Sequence, residues 1–239
     1  MSDNTSQDGN VAPKPLELTM ITAVERSNGI GRAGDLPWTL KQELKYFTRI
    51  TKRVPFKATN GMNAVIMGRK SWDALPVIVR PLPGRINVIV SRSSQAVWSQ
   101  IQEEGCNAER IHVVASVGEG VKLLQRLYTF PMYRDVGHTM DELNTVKLGR
   151  VFVIGGAEIY TAALEMRQTV RLLLTRIYAD FECDTFFPAF LDKTRYGEWH
   201  RQNKDKMDRW VGEDVPQGLV TENGLNYEFI MYERNNQSY

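Results

Sequence analysis

The chain has 239 residues, of which 42% are hydrophobic and 24% charged, ordinary for a globular protein and long enough to bury a core without covalent staples. Two cysteines, Cys106 and Cys183, exclude a disulfide scaffold and fit a reducing compartment. His112, His138 and His200 lie too far apart for ligand spacing, which argues against a zinc site. No apolar run reaches the roughly 18 residues of a membrane span, and the polar start does not read as a signal peptide. Net charge is +2, but it is unevenly spread. From Lys41 to Arg92 eleven Lys and Arg face two acids, Glu43 and Asp73, so that stretch carries +9 and the remainder −7. An anionic partner is expected there, either a nucleic acid or a small molecule rich in phosphate or carboxylate.

Residues 1–15 are polar and aperiodic and read as a disordered tail. Residues 18–24 form a short apolar run of strand length. Residues 39–50 repeat Leu40, Leu44, Phe47 and Ile50 at helical spacing. Residues 64–67, 86–90, 112–115 and 151–154 are β-branched runs suited to buried parallel strands. Ser116 and Glu119 have capping-box spacing and predict a helix over 121–127. Residues 157–166 read as a helix, 170–178 and 227–232 as strands, the last closing a hairpin after the turn at 223–226. Strands alternate with helices, so the expected fold is one α/β domain with a largely parallel sheet flanked by helices. Residues 129–149 and 205–224 break the rhythm and are expected to be surface insertions.

Gly29-Ile30-Gly31-Arg32-Ala33-Gly34 spells the dinucleotide fingerprint after a strand. The fingerprint needs its last glycine to open a helix, yet Pro37 keeps Leu36 extended. No acid follows between Leu44 and Trp72 where a ribose ligand is needed. The segment is therefore expected to be a glycine-rich mobile loop, with Leu36 and Trp38 making it a lid. Three other strand ends, Gly68-Arg69-Lys70-Ser71, Ser91-Arg92-Ser93 and Gly155-Gly156-Ala157, each lead small or basic residues into a helix or turn. Such ends present backbone N–H groups to phosphate, and a dinucleotide with an extra phosphate would occupy all three. Arg92 with Ser91 would then distinguish a ribose 2′-phosphate. Glu43 is the sole acid of its helix. It is either an exposed partner of Lys41 or Lys45, or a pocket carboxylate of raised pKa that recognises an N–C–N edge.

The segments ITAVERSNGIGRAGDLPW, KYF, VIMGRKSW, RPLPGRINVIVSR, VFVIGGAEIY and LLLTRIYADFECDTFFP, in that order, together with the final LNYEFIMYER, resemble dihydrofolate reductases, in particular the longer eukaryotic ones. The resemblance implies an eight-stranded mixed sheet and NADPH-dependent reduction of 7,8-dihydrofolate, with hydride passing to C6 and a proton to N5. That reaction feeds one-carbon and thymidylate metabolism. It implies a cytoplasmic monomer, with mitochondrial or nuclear pools compatible, that binds dihydrofolate and antifolates but neither nucleic acid nor membrane nor metal.

By the same resemblance, Glu43 hydrogen-bonds the pterin and supports protonation, Trp38 orders a water, and Leu36 gates it. Ile21 and Ile154 place their backbone beside the pterin, with Tyr160 nearby, and Thr175 supports Glu43. Leu44, Phe47, Ser71, Leu75 and Leu82 surround the pterin and benzoyl groups, and Arg85 pairs with the folate α-carboxylate. Leu44 and Ser71 stand where many members carry Phe and Thr. For NADPH the implied contacts are Ala23, Ile30, Gly31, Gly34 and Asp35 around the nicotinamide ribose. Gly68, Arg69, Lys70, Ser71, Ser91, Arg92 and Ser93 face the phosphates. Gly155, Gly156, Ala157, Glu158, Ile159 and Tyr160 complete the site, with a cis Gly–Gly bond, although a negative charge at Glu158 has no evident reason there. Two rivals compete. A riboflavin-pathway reductase would share the fold, but has no use for Arg85 or for Glu43 with Trp38. A nucleic-acid-binding module would stack bases on Tyr46, Phe47 and Trp72.

Overall fold

The computed structural model describes residues 15–55, 60–129 and 146–235. The expected tail, Pro15 apart, and residues 130–145 of the first expected insertion lie outside them. The chain opens with strands β1 (Leu18–Val24) and β2 (Gly29–Gly31), then helix α1 (Lys41–Lys52). Three strand-to-helix units follow: β3 (Gly61–Gly68) with α2 (Arg69–Ala74), β4 (Arg85–Val90) with α3 (Ser94–Glu103), and β5 (Ile111–Val114) with α4 (Val117–Leu124). Next come β6 (Lys147–Val153), α5 (Ala157–Leu164), β7 (Thr169–Ile177) and β8 (Thr185–Phe186). The chain ends with α6 (Lys193–Tyr196), β9 (Trp199–Arg201), α7 (Lys204–Val211), β10 (Val220–Glu222) and β11 (Leu225–Arg234).

Eight strands form one continuous order, β10-β11-β7-β1-β6-β3-β4-β5, and β9 adds a ninth by pairing with β11. Strands β7, β1, β6, β3, β4 and β5 are mutually parallel, whereas β11 runs against β7. The expected parallel α/β sheet with its closing hairpin is therefore present. Asn223 and Gly224 both have positive φ, 52° and 76°, which suits the tight β10–β11 turn.

Side chains alternate between two cores, because successive strand residues face opposite sides. Met20, Ala64, Ile66, Val153, Leu172 and Leu174 pack with Val121 and Leu124 of α4 and Ala163 and Leu164 of α5. Ile21, Val65, Met67, Phe152 and Leu173 pack on the other side with Tyr46 and Ile50 of α1, Trp72 of α2 and Ile101 of α3. Met207 and Val211 of α7, and Val215 after it, belong to that second core. Residues 205–224 are thus not a plain surface insertion: polar residues cover the outside of a short helix whose apolar stripe is buried.

The helix predicted over 121–127 begins earlier, at Val117. Ser116 Oγ accepts the Glu119 N–H at 3.1 Å, and Glu119 Oε2 accepts the Ala115 N–H at 2.9 Å. The capping signal was at the helix start itself, rather than a turn ahead of it.

Candidate active site

Strands β6, β3 and β4 are neighbours, so the three phosphate-type strand ends emerge side by side. Gly68 pairs with Val90 across β3 and β4, and its N–H donates to the Gly155 carbonyl at 2.7 Å. A Cβ at Gly68 would lie 2.9 Å from Ile159 Cγ1, and one at Gly156 would lie 3.5 Å from Ser71 Oγ. The Gly155–Gly156 bond is cis, as the resemblance implied, and Gly155 has φ of 116°. A side chain at Gly68 would therefore press on Ile159, and the positive φ of Gly155 suits glycine. Ser91 follows Val90, and its Oγ accepts the Ser93 N–H at 3.1 Å where α3 begins. Lys70, Arg92 and Ser93 are exposed beside this cradle, while Arg69 is drawn back to Asp73 at 3.3 Å. Glu158 is exposed in the first turn of α5. A carboxylate is favourable at a helix N-terminus, which gives that charge its reason.

A second group of residues lies where Glu43 of α1 reaches β7 beside β1. Glu43 is buried, and its Oε1 accepts a hydrogen bond from Thr175 Oγ1 at 3.2 Å. Thr175 sits opposite Ala23 in the sheet. Burial pushes the Glu43 carboxyl up from 4.5 to about 7; the Thr175 bond opposes this and the nearby Glu222 charge adds to it. Glu43 is thus not the exposed partner of Lys41 or Lys45 that one of its two readings expected.

Trp38 is buried with its ring edge against Phe181 at 5.5 Å, and its Nε1 has no hydrogen-bond partner among the described residues. Ile21, Trp38 and Leu82 share the second core, with the partly buried Ala23, Phe47, Leu75 and Ile154 packed against it. Tyr160, from the opposite side of the sheet, donates its hydroxyl to the Ile21 carbonyl at 2.8 Å. Leu36 and Leu44 are 50% and 57% exposed.

Arg85 is buried at the start of β4, donating to Thr51 Oγ1 at 2.8 Å and more weakly to the Pro83 carbonyl at 3.3 Å. No carboxylate pairs with it among the described residues, and burial pulls its pKa down to about 10. An unpaired buried cation calls for an anionic partner from outside the fold. Its surroundings are rigid: Asn87 donates to the carbonyls of Leu82 and Arg85 and accepts the Leu82 N–H, at 2.9–3.1 Å.

The glycine-rich segment is a short hairpin. Strand β2 pairs with β8, and Ala33 and Gly34 turn with φ of 51° and 86° between the bridged Arg32 and Asp35. The Ala33 N–H donates to Asp184 Oδ2 at 2.7 Å, holding that carboxyl below its usual range. No helix follows Gly34, in keeping with the rejection of the dinucleotide fingerprint. Among the described residues no hydrogen bond joins Ile30, Gly31, Gly34 or Asp35 to the strand-end cradle.

The dihydrofolate reductase family model matches residues 17–213. The chain is 39% identical over 219 residues to the dihydrofolate reductase of Pneumocystis carinii, covering 91% of this chain and 96% of that protein. It is 34% identical to the Sus scrofa enzyme, covering 92% and 98%. The chain belongs to the dihydrofolate reductase family. A solved Schistosoma mansoni dihydrofolate reductase superposes with a TM-score of 0.65 at 27% identity, covering 92% of this chain and 99% of that one.

Several basic residues of the chain are neutralised from afar. Arg49 and Arg53 share Glu213, and Arg80 pairs with Glu104. Of the three stacking residues the nucleic-acid reading needs, Tyr46 and Trp72 are buried and offer no stacking face, and Phe47 is partly buried. Sequence reasoning missed Thr51, Asn63, Asn87 and Glu222. Asn63 and Asn87 carried a signal, since asparagine is disfavoured inside β-branched runs. Glu222 carried none: it accepts the N–H groups of Lys41 and Gln42 at 2.8 and 3.0 Å from a segment 180 residues away.

Proposed function

We propose that the protein reduces 7,8-dihydrofolate to tetrahydrofolate with NADPH, and that the two residue groups described above are the two halves of its active site. The observation that carries this reading is Glu43, a buried carboxyl titrating near neutrality. Such a group holds a proton at physiological pH and returns it, as an acid at a reducing centre must.

The residues fit NADPH. Gly68, Gly155 and Gly156 leave the strand ends without side chains of their own, and Lys70 and Arg92 stand beside them without carboxylate partners among the described residues. When bound in this cradle, NADPH would supply hydride chemistry directed to C6 of the pterin. The chain's own work is binding, orientation and proton handling. Glu43, braced by Thr175, takes the 2-amino and N3 edge of the pterin. Trp38 Nε1 holds the water that carries a proton toward N5, and Leu36 limits solvent entry. Phe47, Leu75 and Leu82 pack the ring and benzoyl faces, and Arg85 grips the glutamate α-carboxylate in a bidentate pair.

The test is loss of NADPH absorbance on mixing enzyme, NADPH and dihydrofolate. Steady turnover is expected, and no turnover from folded protein would defeat the reading. With Glu43 as the acid, turnover declines as pH rises through about 7. Glu43→Gln lowers the neutral rate by about 100-fold or more, with partial recovery at low pH where substrate arrives already protonated.

A further inference from the structure

A cavity of about 510 Å³ opens where β4 and β5 end. Its apolar wall includes Val113 and Leu123, and its polar wall carries three cations. Arg92 comes from the β4–α3 junction. Lys122 and Arg126 come from α4 and the turn after it, and four-residue spacing puts them on one face. All three are exposed, and none meets a carboxylate among the described residues. The cavity's acid, Glu119, is held at the start of α4 by the Ala115 N–H at 2.9 Å. Three like charges around one small cavity repel one another unless a dianion sits among them.

We infer that Lys122 and Arg126 join Arg92 in a three-cation seat for the 2′-phosphate of the cofactor, and that the α4 pair thereby sets the preference for NADPH over NADH. This rests on the cofactor reading above and adds to it two residues on an element outside the three strand ends. A phosphate monoester carries close to two negative charges at neutral pH, enough to offset most of the seat. The hydroxyl of NADH would leave all three cations unmatched.

Calorimetric titration of the full chain with adenosine 2′,5′-bisphosphate and with 5′-AMP tests this without turnover. Wild type should bind the bisphosphate more tightly, with affinity falling steeply as salt rises. The double variant Lys122→Ala/Arg126→Ala should lose at least tenfold of that preference and flatten the salt dependence, with 5′-AMP binding little changed. The charge-conserving Lys122→Arg/Arg126→Lys should restore most of it. Both substitutions are on the surface, and a thermal melt checks that the fold is kept. If the alanine variant retains the full preference while Arg92→Ala abolishes it, the α4 residues have no part in the seat. If wild type oxidises NADPH but does not discriminate the two fragments, the seat itself is wrong. If wild type neither binds the fragments nor oxidises NADPH, the cofactor reading falls with it.

Discussion

At the scale of single residues, the site holds groups that are costly to the fold. Glu43 titrates near 7 when folded and near 4.5 when unfolded. The folded state therefore keeps a proton that the unfolded state releases between those values. Stability is full below the unfolded pKa and declines as pH rises through about 7, by an amount on the order of 3 kcal/mol. Glu43→Gln should raise the melting temperature at pH 8 and leave it nearly unchanged at pH 4. An equal gain at both pH values would show that charge is not the cause. Arg85 presents the mirror case, a buried guanidinium with only neutral partners among the described residues. Arg85→Leu should weaken dihydrofolate binding by about 2–5 kcal/mol, while leaving the ligand-free protein at least as stable. A binding titration and a melt together check it, and unchanged affinity would remove Arg85 from the site. Glu43 drew notice in the sequence as the sole acid of its helix, with its face left open, whereas Arg85 was reached only through family resemblance. Thr175 and Tyr160 were reached through family resemblance, since neither residue type is unusual in a strand or helix.

At the scale of elements, α1 is fastened at both ends by residues from other parts of the chain. Its N-cap, Leu40, offers no side-chain acceptor. Glu222 serves instead, and Asn223 Nδ2 donates to the Thr39 carbonyl at 3.2 Å. At the other end, Asn63 Nδ2 donates to the Thr51 and Arg53 carbonyls at 3.0 and 2.9 Å, while its Oδ1 accepts the Arg150 N–H at 2.8 Å. Asn63→Ala should cost about 2–4 kcal/mol, because three backbone groups lose their partner at once. A denaturant melt measures it, and a loss below about 0.5 kcal/mol would mean water replaces the amide. Glu222→Gln keeps a cap but removes a charge that raises the Glu43 pKa. The pH at which turnover halves should therefore move down, whereas a purely structural cap would leave that pH where it is. Helix α1 itself was readable from its periodicity; its fastenings were not, because periodicity reports which face is buried and nothing about what meets the ends.

At the scale of the whole molecule, the parallel strands were legible because buried strands are written as unbroken β-branched runs, as in β3 and β4. Strands β2, β8, β9 and β10 have two or three residues each, too few for alternation to register. Helix α7 was hidden for another reason: most of its residues are polar, and only Met207 and Val211 are fully buried, with Trp210 packed beside them. Strand order was not legible either. Strand β6 enters between β1 and β3, a placement decided by competition among several similar apolar runs.

The capping of α1 by Glu222 also bears on how the protein is made. By the time β10 leaves the ribosome, α1 has been outside for some 170 residues with its leading N–H groups unpaired. Strand β1 likewise waits for both neighbours, β6 and β7, from the second half of the chain. Domains of such long-range connectivity fold slowly, so the pocket acid acquires its setting among the last events of folding. A stalled or shortened nascent chain would then be inactive without being grossly unfolded.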